Sequence, residues 1–245
     1  MPEPGCELLP WDSDFFGLRI ARAQGEQADN ARLAAIREWC AVQRVDCLYF
    51  LATLDDPATA AALCAPPFKL VDLRVTLACT IARDPYAEPS VAVRHWQPAD
   101  LPRLRAIASD AYTDSRFYAD GGFPRTLCDK LYATWIEQSC HGQADFVLVA
   151  EHEDAAAAFV TGSVHGDSGQ IGLVGVDAAA RGRGLGGRLI QATLEAFRQR
   201  GCARVEVVTQ GRNIGAQRLY QRAGFVTDSI KAWFHGWFSQ QQTNI

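Results

Sequence analysis

Apolar and polar positions in the first eighty residues alternate between two periods. After a turn at Trp11-Asp12-Ser13-Asp14, the residues Phe16, Leu18 and Ile20 fall on one face of a segment with period two, which predicts a strand to about Ala23. Leu33, Ile36, Trp39 and Cys40 then recur at helical spacing across 30–44, and the apolar run from Cys47 to Thr53 reads as a buried strand. Pro57 opens a short alanine-rich helix reaching Cys64, and Phe68 to Ile81 forms a long strand. The stretch 83–90, with Pro85 and Pro89, is the best linker in the chain. It divides the pattern into an N-terminal α/β segment, 1–84, and a larger second domain, 90–245.

The second domain begins with a strand at Val91 to Arg94, followed by a helix entered through Gln97-Pro98-Ala99-Asp100 and running to about Tyr112. A polar and aromatic loop, 113–123, leads into a helix at 124–139 that buries Leu127, Leu131, Trp135 and Ile136. Strands at Phe146–Glu151 and Ala157–Val164 flank an acidic turn, and a third carries Ile171, Leu173, Val174 and Val176. Leu185, Leu189, Thr193, Ala196 and Phe197 give the next helix one apolar face, and Gly201 stops it. A strand at Arg204–Thr209, a helix at Asn213–Ala223 with Gly224 at its C′ position, and two strands from Phe225 onward complete an α/β chain.

The chemistry concentrates where the third strand meets the helix. Between them lies Arg181-Gly182-Arg183-Gly184-Leu185-Gly186-Gly187, in which four glycines permit positive φ and a close approach of the backbone to a ligand. Consecutive N–H groups at a helix start, with Arg181, Arg183 and Arg188 nearby, make an anion site. The dinucleotide pattern G-x-G-x-x-G fits only loosely, and the Walker pattern fails because no lysine follows the last glycine.

Composition narrows the partners. The chain is 245 residues with 48% apolar content, ample for a core, and a formal net charge of −4 without a sizeable basic face, which argues against nucleic acid. No run of 18 apolar residues occurs, and the start MPEPGCELLPW lacks the basic and apolar regions of a signal peptide. These features predict a cytoplasmic protein with no membrane association. Eight cysteines are scattered without a C-x-x-C pair, as in a reduced core, and no ligand spacing supports a metal.

A faint internal repeat accompanies this pattern. Arg32-Leu33, 47–53, Leu63 and 68–72 match Arg188-Leu189, 203–209, Leu219 and 225–228 at an offset of about 156 residues. The counterpart of the glycine loop, Gly25-Glu26-Gln27-Ala28-Asp29-Asn30, is acidic and could not hold a pyrophosphate. The first segment is therefore expected to be a degenerate half-copy of the second domain, against the alternative of chance similarity between α/β segments.

The spacing Arg181-x-x-Gly184-x-Gly186 resembles the R/Q-x-x-G-x-G/A signature of the GCN5-related N-acetyltransferases (GNAT). The resemblance implies the GNAT fold, a mixed and splayed central sheet, here preceded by the smaller α/β segment. It implies that Arg181, Gly182, Arg183, Gly184, Leu185, Gly186 and Gly187 hold the pyrophosphate of acetyl-coenzyme A, with no metal. Free N–H groups of Leu173, Val174 and Val176 would bond the thioester oxygen and the pantetheine amides. Asn213 would lie near the pantetheine arm, although its place at a helix start explains it equally well as an N-cap. Tyr220 would be the acid for the departing thiolate, against the alternative of a packing residue. No base stands out among His165, Glu151 and Asp177.

A wider match runs through WDSDFFG, the Ser115-Arg116-Phe117 loop, the 131–137 helix and Asn213-x-x-Ala216-x-x-x-Tyr220. It is similar to the TDP-fucosamine acetyltransferase group, which acetylates the amine of dTDP-4-amino-4,6-dideoxygalactose for surface polysaccharide. That implies a nucleotide-linked amino sugar as acceptor. Arg116, Phe117 and Tyr118 supply the arginine and aromatic groups such a ligand needs, with Trp233 and Trp237 as alternatives. Another small amine, an antibiotic or a protein N-terminus remain open as acceptors, as does a coenzyme A-sensing module without catalysis. Exposed terminal strands could pair edge to edge in a homodimer.

Overall fold

The computed structural model describes residues 5–82, 84–86 and 93–238. Most of the linker expected at 83–90 and the start of the strand expected at Val91 lie outside them. In chain order the elements of the first part are β1 (Cys6–Leu8), α1 (Pro10–Phe16), β2 (Ile20–Ala23), α2 (Asn30–Gln43), β3 (Cys47–Thr53), α3 (Pro57–Leu63) and β4 (Phe68–Thr80). The rest comprises β5 (Val93–His95), α4 (Leu101–Ala111), α5 (Arg116–Asp120), α6 (Arg125–Gln138), β6 (Phe146–His152), β7 (Ala155–His165), β8 (Ser168–Val176), α7 (Leu185–Gln199), β9 (Arg204–Gln210), α8 (Ile214–Arg222) and β10 (Val226–Trp237).

Three elements differ from the sequence pattern. Residues 10–16 are helical rather than a turn entering a strand. Pro10 starts that helix, Gly17 ends it at φ 65°, and Trp11 stacks on Phe15 one turn later, with ring centroids 5.1 Å apart. The loop at 113–123 contains α5, whose Phe117 and Asp120 are buried. Among the described residues the C-terminal region is one twelve-residue strand, β10, where two were expected from Phe225 onward. The order β2-α2-β3-α3-β4 is the strand-helix-strand-helix-strand order that a half-copy of β8-α7-β9-α8-β10 requires, and both β2–β3 and β8–β9 pair in parallel.

The described residues form two compact units whose boundaries do not follow the 1–84/90–245 division. The first comprises 5–74, 115–127 and 230–238, and the second 75–114 and 128–229 among those described. β4 and β10 each have residues in both units, and α5 belongs to the first, so neither unit is a contiguous stretch of chain.

In the first unit β1 pairs antiparallel with β2, β2 parallel with β3, and β3 antiparallel with β10. Side chains alternate across this sheet. Leu48, Phe50, Ala52, Ala232 and Phe234 face α2 and α3, meeting Leu33, Ile36, Cys40 and Leu63 in an apolar core. Cross-strand partners on the opposite face are Tyr49 with His235, and Cys47 with Trp237, met by Phe16, Phe117 and Phe123. In the second unit the order β5-β6-β7-β8-β9 is antiparallel up to β8 and parallel from β8 to β9. Leu185, Leu189, Ile190, Leu194 and Phe197 bury the apolar stripe of α7 against this sheet.

Candidate active site

The site grows from a failure of strand pairing in the second unit. β8 and β9 are in register from Ser168↔Arg204 to Ile171↔Val207, yet β8 continues to Val176 and β9 to Gln210. Their ends part around a cleft of about 640 Å³, within the range of small-molecule sites. The Asp177 N–H bonds Ala157 O on β7. By the alternation of an antiparallel ladder, the N–H and C=O groups of Val174 and Val176 therefore point away from β7, into the gap.

Of the three amides expected to be free, two have internal partners. A bulge between Val160 and Gly162 lets the Leu173 N–H donate to Thr161 Oγ1 at 2.8 Å. Gly172 makes room for this, since a Cβ there would lie 2.6 Å from Thr161 Oγ1. The Val174 N–H donates to the Tyr112 hydroxyl at 2.6 Å, and that hydroxyl donates to Val174 O at 2.8 Å. Tyr112 stacks flat on Tyr132, with centroids 4.1 Å apart. Burial, then the neighbouring phenols of Tyr220 and Tyr132, hold the Tyr112 hydroxyl protonated. The remaining carbonyl, of Val176, accepts from Arg181 Nε at 3.4 Å.

The glycine loop closes one end of the cleft. Gly182 and Gly184 have φ of 78° and 76°, and a Cβ on either would meet nothing within 4 Å. The positive φ calls for glycine, and the open space leaves the backbone accessible to a ligand. Gly184 caps α7, so the N–H groups of Leu185, Gly186 and Gly187 have no partner within the helix. Leu185 takes part through its backbone, because its side chain is buried in the core. A Cβ on Gly186 would come 3.3 Å from Leu219, so this glycine sets the approach of α7 to α8. Arg181 and Arg183 are exposed and Arg188 half-buried, adding positive charge to the helix dipole.

Asn213 and Tyr220, both expected beside the coenzyme, line this cleft. The Asn213 side chain accepts from the Ala216 N–H at 3.0 Å and so caps α8. Tyr220 is 4% exposed, and no described residue hydrogen-bonds its hydroxyl. Burial pushes that phenol above its ordinary value, keeping the proton an acid needs. The candidate bases are engaged elsewhere or exposed. Glu151 takes Arg94 Nε at 2.6 Å, Asp177 pairs with Arg103 and accepts the Ala179 N–H, and His165 is exposed at the end of β7. The carboxylate that does line the cleft is Asp114, two residues beyond Tyr112. Neither stands in a recognisable motif, so the sequence offered no signal for them.

Arg116, Phe117 and Tyr118 lie in the first unit and have three different surroundings. Phe117 is buried against Phe16, Phe123 and Tyr49, so its ring is not available for stacking on a ligand. Tyr118 receives the Arg125 guanidinium 4.7 Å from its ring. The Arg116 guanidinium is boxed by Trp233, Tyr49 and Phe117, at 4.1, 4.5 and 4.6 Å.

Beside them, Asp120 accepts from His235 Nδ1 at 2.5 Å and from Trp237 Nε1 at 3.0 Å, and it pairs with Lys69 at 3.0 Å. Burial lowers the His235 pKa to about 4, so its imidazole is neutral and donates Nδ1–H to a carboxylate already charge-balanced by Lys69. Cys47 joins Asp120 and His235, with candidate ligand atoms all within 4.8 Å of one another. Sequence spacing could not reveal a trio drawn from β3, α5 and β10. Its chemistry is that of an ion-pair network, because Lys69, Trp237 and His235 already occupy the carboxylate and burial pushes the Cys47 thiol up.

A parallel strand pair that splays around a cleft, a glycine-capped helix N-terminus and a phenol on the next helix define a coenzyme A-dependent acyltransferase. Residues 101–225 match the Acetyltransferase (GNAT) family, and the chain belongs to it, as an acetyl-coenzyme A-dependent N-acetyltransferase. It is 29% identical over 233 residues to the dTDP-fucosamine acetyltransferase of Escherichia coli O6:H1, covering 94% of this chain and 96% of that one. It is also 25% identical to the spore coat polysaccharide biosynthesis protein SpsD of Bacillus subtilis, over 58% of this chain and 49% of that protein. Its fold is similar to that of a GCN5-related N-acetyltransferase from Sphaerobacter thermophilus, with a TM-score of 0.66 and 17% identity, covering 95% of this chain and 76% of the other. No helix among the described residues is long and apolar enough to cross a membrane.

Proposed function

We propose that the protein transfers acetyl from acetyl-coenzyme A to the amino group of a nucleotide-linked amino sugar, such as dTDP-4-amino-4,6-dideoxygalactose, directly within a ternary complex. The observation that carries this reading is the similarity to a dTDP-fucosamine acetyltransferase along nearly the whole of both chains. A shared coenzyme site alone would account for the second unit only.

The residues divide the work as follows. The N–H groups of 185–187 and the arginines of the loop hold the coenzyme's diphosphate. The N–H of Val176, which points into the gap, and that of Val174 once Tyr112 is displaced, polarise the thioester carbonyl. The amine attacks as its neutral form, making the C–N bond as the C–S bond breaks. Tyr220 gives its proton to the departing sulfur, and the surplus proton on nitrogen leaves through Asp114 or water. Arg116 serves the acceptor's diphosphate.

A screen of nucleotide-linked amino sugars with acetyl-coenzyme A, read as free thiol released, tests the reading. The expected result is turnover with a dTDP-4-amino sugar at least about a hundredfold above simple amines in kcat/KM, a difference that contacts to nucleotide and diphosphate can supply. Equal or faster turnover of a polyamine or a peptide N-terminus would overturn it.

A further inference from the structure

Five buried side-chain N or O atoms among the described residues have no hydrogen-bond partner, and four of them come from the Tyr49, Ser115, Arg116 and His235 neighbourhood of the first unit. They are Tyr49 Oη, Ser115 Oγ, Arg116 Nη1 and His235 Nε2. Buried polar atoms in folded proteins are nearly always paired, so such a concentration marks a place where something outside the chain supplies the partners.

The four atoms belong to one contiguous layer. The Arg116 guanidinium lies 4.5 Å from the Tyr49 ring centroid, the Tyr49 and His235 rings are 4.7 Å apart, and Ser115 directly precedes Arg116. Tyr49, Ser115 and His235 are each more than nine-tenths buried. Ser115 stands at the start of α5, yet its hydroxyl caps no backbone N–H.

Arg116 itself has no ion pair and donates no hydrogen bond to any described residue, although three aromatic rings fix its plane. An oriented guanidinium with its fork uncommitted is the group that recognises phosphate or carboxylate through two parallel N–H bonds. The nearby carboxyl of Asp12 forms no salt bridge with it: burial raises the Asp12 pKa, and the Arg116 charge opposes that shift from a distance.

The hydrogen-bonding sense of the four atoms narrows the ligand. Arg116, Tyr49 and Ser115 present donors. His235 gives its Nδ1–H to Asp120 and so turns an acceptor lone pair outward at Nε2. A bare anion would satisfy the first three and leave the fourth unpaired. An anion that also carries hydroxyl groups satisfies all four.

We propose that Arg116, Tyr49, Ser115 and His235 form a binding site for a phosphorylated sugar, the phosphoryl oxygens accepting from the three donors and a sugar hydroxyl donating to His235 Nε2. This deepens the nucleotide-sugar reading given above and rests on it for the identity of the phosphoryl group, the diphosphate of a nucleoside diphosphate sugar. Trp233, stacked on the guanidinium, lies at the edge of the site.

The test is calorimetric titration of the whole protein with thymidine diphosphate, inorganic pyrophosphate, thymidine and a thymidine diphosphate hexose, with acetyl-coenzyme A titrated separately. Thymidine diphosphate should bind at least about tenfold more tightly than thymidine, and the hexose conjugate about threefold or more tighter again, in keeping with one or two buried hydrogen bonds. Pyrophosphate binding as well as the nucleotide would assign the site to free phosphate rather than a nucleotide and overturn the sugar assignment. Arg116→Met should weaken nucleotide binding by about thirtyfold or more and Arg116→Lys by about tenfold, while acetyl-coenzyme A affinity stays within about twofold. Should Arg116→Met not fold, Tyr49→Phe and Ser115→Ala, each expected to cost about three- to tenfold, carry the test. Undiminished nucleotide affinity in the Arg116 variants, or in both hydroxyl variants, sinks the proposal. So does a wild-type protein that acetylates an unphosphorylated amino sugar and ignores thymidine diphosphate, and that result would leave its acetyltransferase chemistry intact.

Discussion

The Tyr112 hydroxyl accepts from the N–H of Val174 and donates to the C=O of the same residue, standing where a neighbouring strand would pair with β8. N–H and C=O of one residue point to the same side of a strand, so a single hydroxyl can answer both. The two residues are 62 positions apart in sequence. The splayed strand end is therefore not bare: its central residue is capped by a phenol, which under the proposed function a pantetheine arm displaces.

Tyr112→Phe keeps the stack on Tyr132 and removes only the cap. The free protein should lose about 1 kcal/mol of stability, read as a lower melting temperature. Acetyl-coenzyme A should bind as tightly as in the wild type or up to about tenfold more tightly, because no internal bond is broken on entry. A tenfold loss of affinity in titration calorimetry would instead put the hydroxyl among the groups that hold the coenzyme.

Tyr220→Phe addresses the acid. The ring contact with Phe225, at 5.8 Å between centroids, survives the change, and only the uncommitted hydroxyl is lost. Turnover should fall by about ten- to ten-thousandfold, with coenzyme affinity within about threefold of wild type. Burial raises the Tyr220 pKa, so the proton is present throughout neutral and mildly alkaline pH. The wild-type rate should accordingly show no alkaline loss from this group below its ordinary titration range, about pH 10. Steady-state kinetics with unchanged kcat in the variant would remove the assignment.

The parts of this architecture that were legible in the sequence are local ones. The β8-loop-α7 unit announces itself through a β-branched run, four clustered glycines and a 3.6-residue apolar stripe, all within 33 consecutive residues of 169–201. Helix α1 was hidden because Phe16, Leu18 and Ile20 mimic a strand period while the helical pair Trp11 and Phe15 lies just before them. Tyr112 on β8, and Asp120 bonded to His235 across 115 residues, are tertiary pairings between ordinary residues of unremarkable segments. Periodicity reports which face is buried, not which distant side chain is waiting there. The compact units escaped for a related reason, since 115–127 and 230–238 join the first through packing of α5 and β10 that no linker marks.

Gly184→Val tests the diphosphate seat. At φ 76° a β-branched residue is strained by about 1–2 kcal/mol, so some stability is lost whatever the ligand does. The Cβ would enter open space, so no clash with the protein adds to that cost. Acetyl-coenzyme A binding should be abolished. Gly187→Ala separates the two effects, because Gly187 sits in the first turn of α7 without positive φ and its Cβ also meets nothing within 4 Å. That variant should melt at or above the wild-type temperature, by the better helix propensity of alanine, yet bind the coenzyme about tenfold or more weakly. Tight binding by Gly184→Val would refute the role of the loop.

His235 makes stability depend on pH in a defined window. Its pKa is about 4 in the folded protein against 6.5 ordinarily, with burial as the main cause and the Arg116 and Lys69 charges acting in the same direction. The carboxylate of Asp120 opposes the shift without reversing it. Cys47, Tyr49, Phe117 and Phe123 also surround it and do not titrate near this range, the Cys47 thiol being pushed up by burial. Because the unfolded chain binds a proton that the folded chain refuses, the stability due to this group is complete above pH 6.5. It is lost as pH falls from there towards 4, by about 1.4 kcal/mol per unit and about 3 kcal/mol in all. His235→Asn keeps a donor near Asp120 and cannot titrate. Denaturant unfolding from pH 7.5 to 4 should therefore show a shallower decline for the variant, the difference between the two slopes corresponding to one proton, and parallel curves would mean that the imidazole is protonated in the folded state after all.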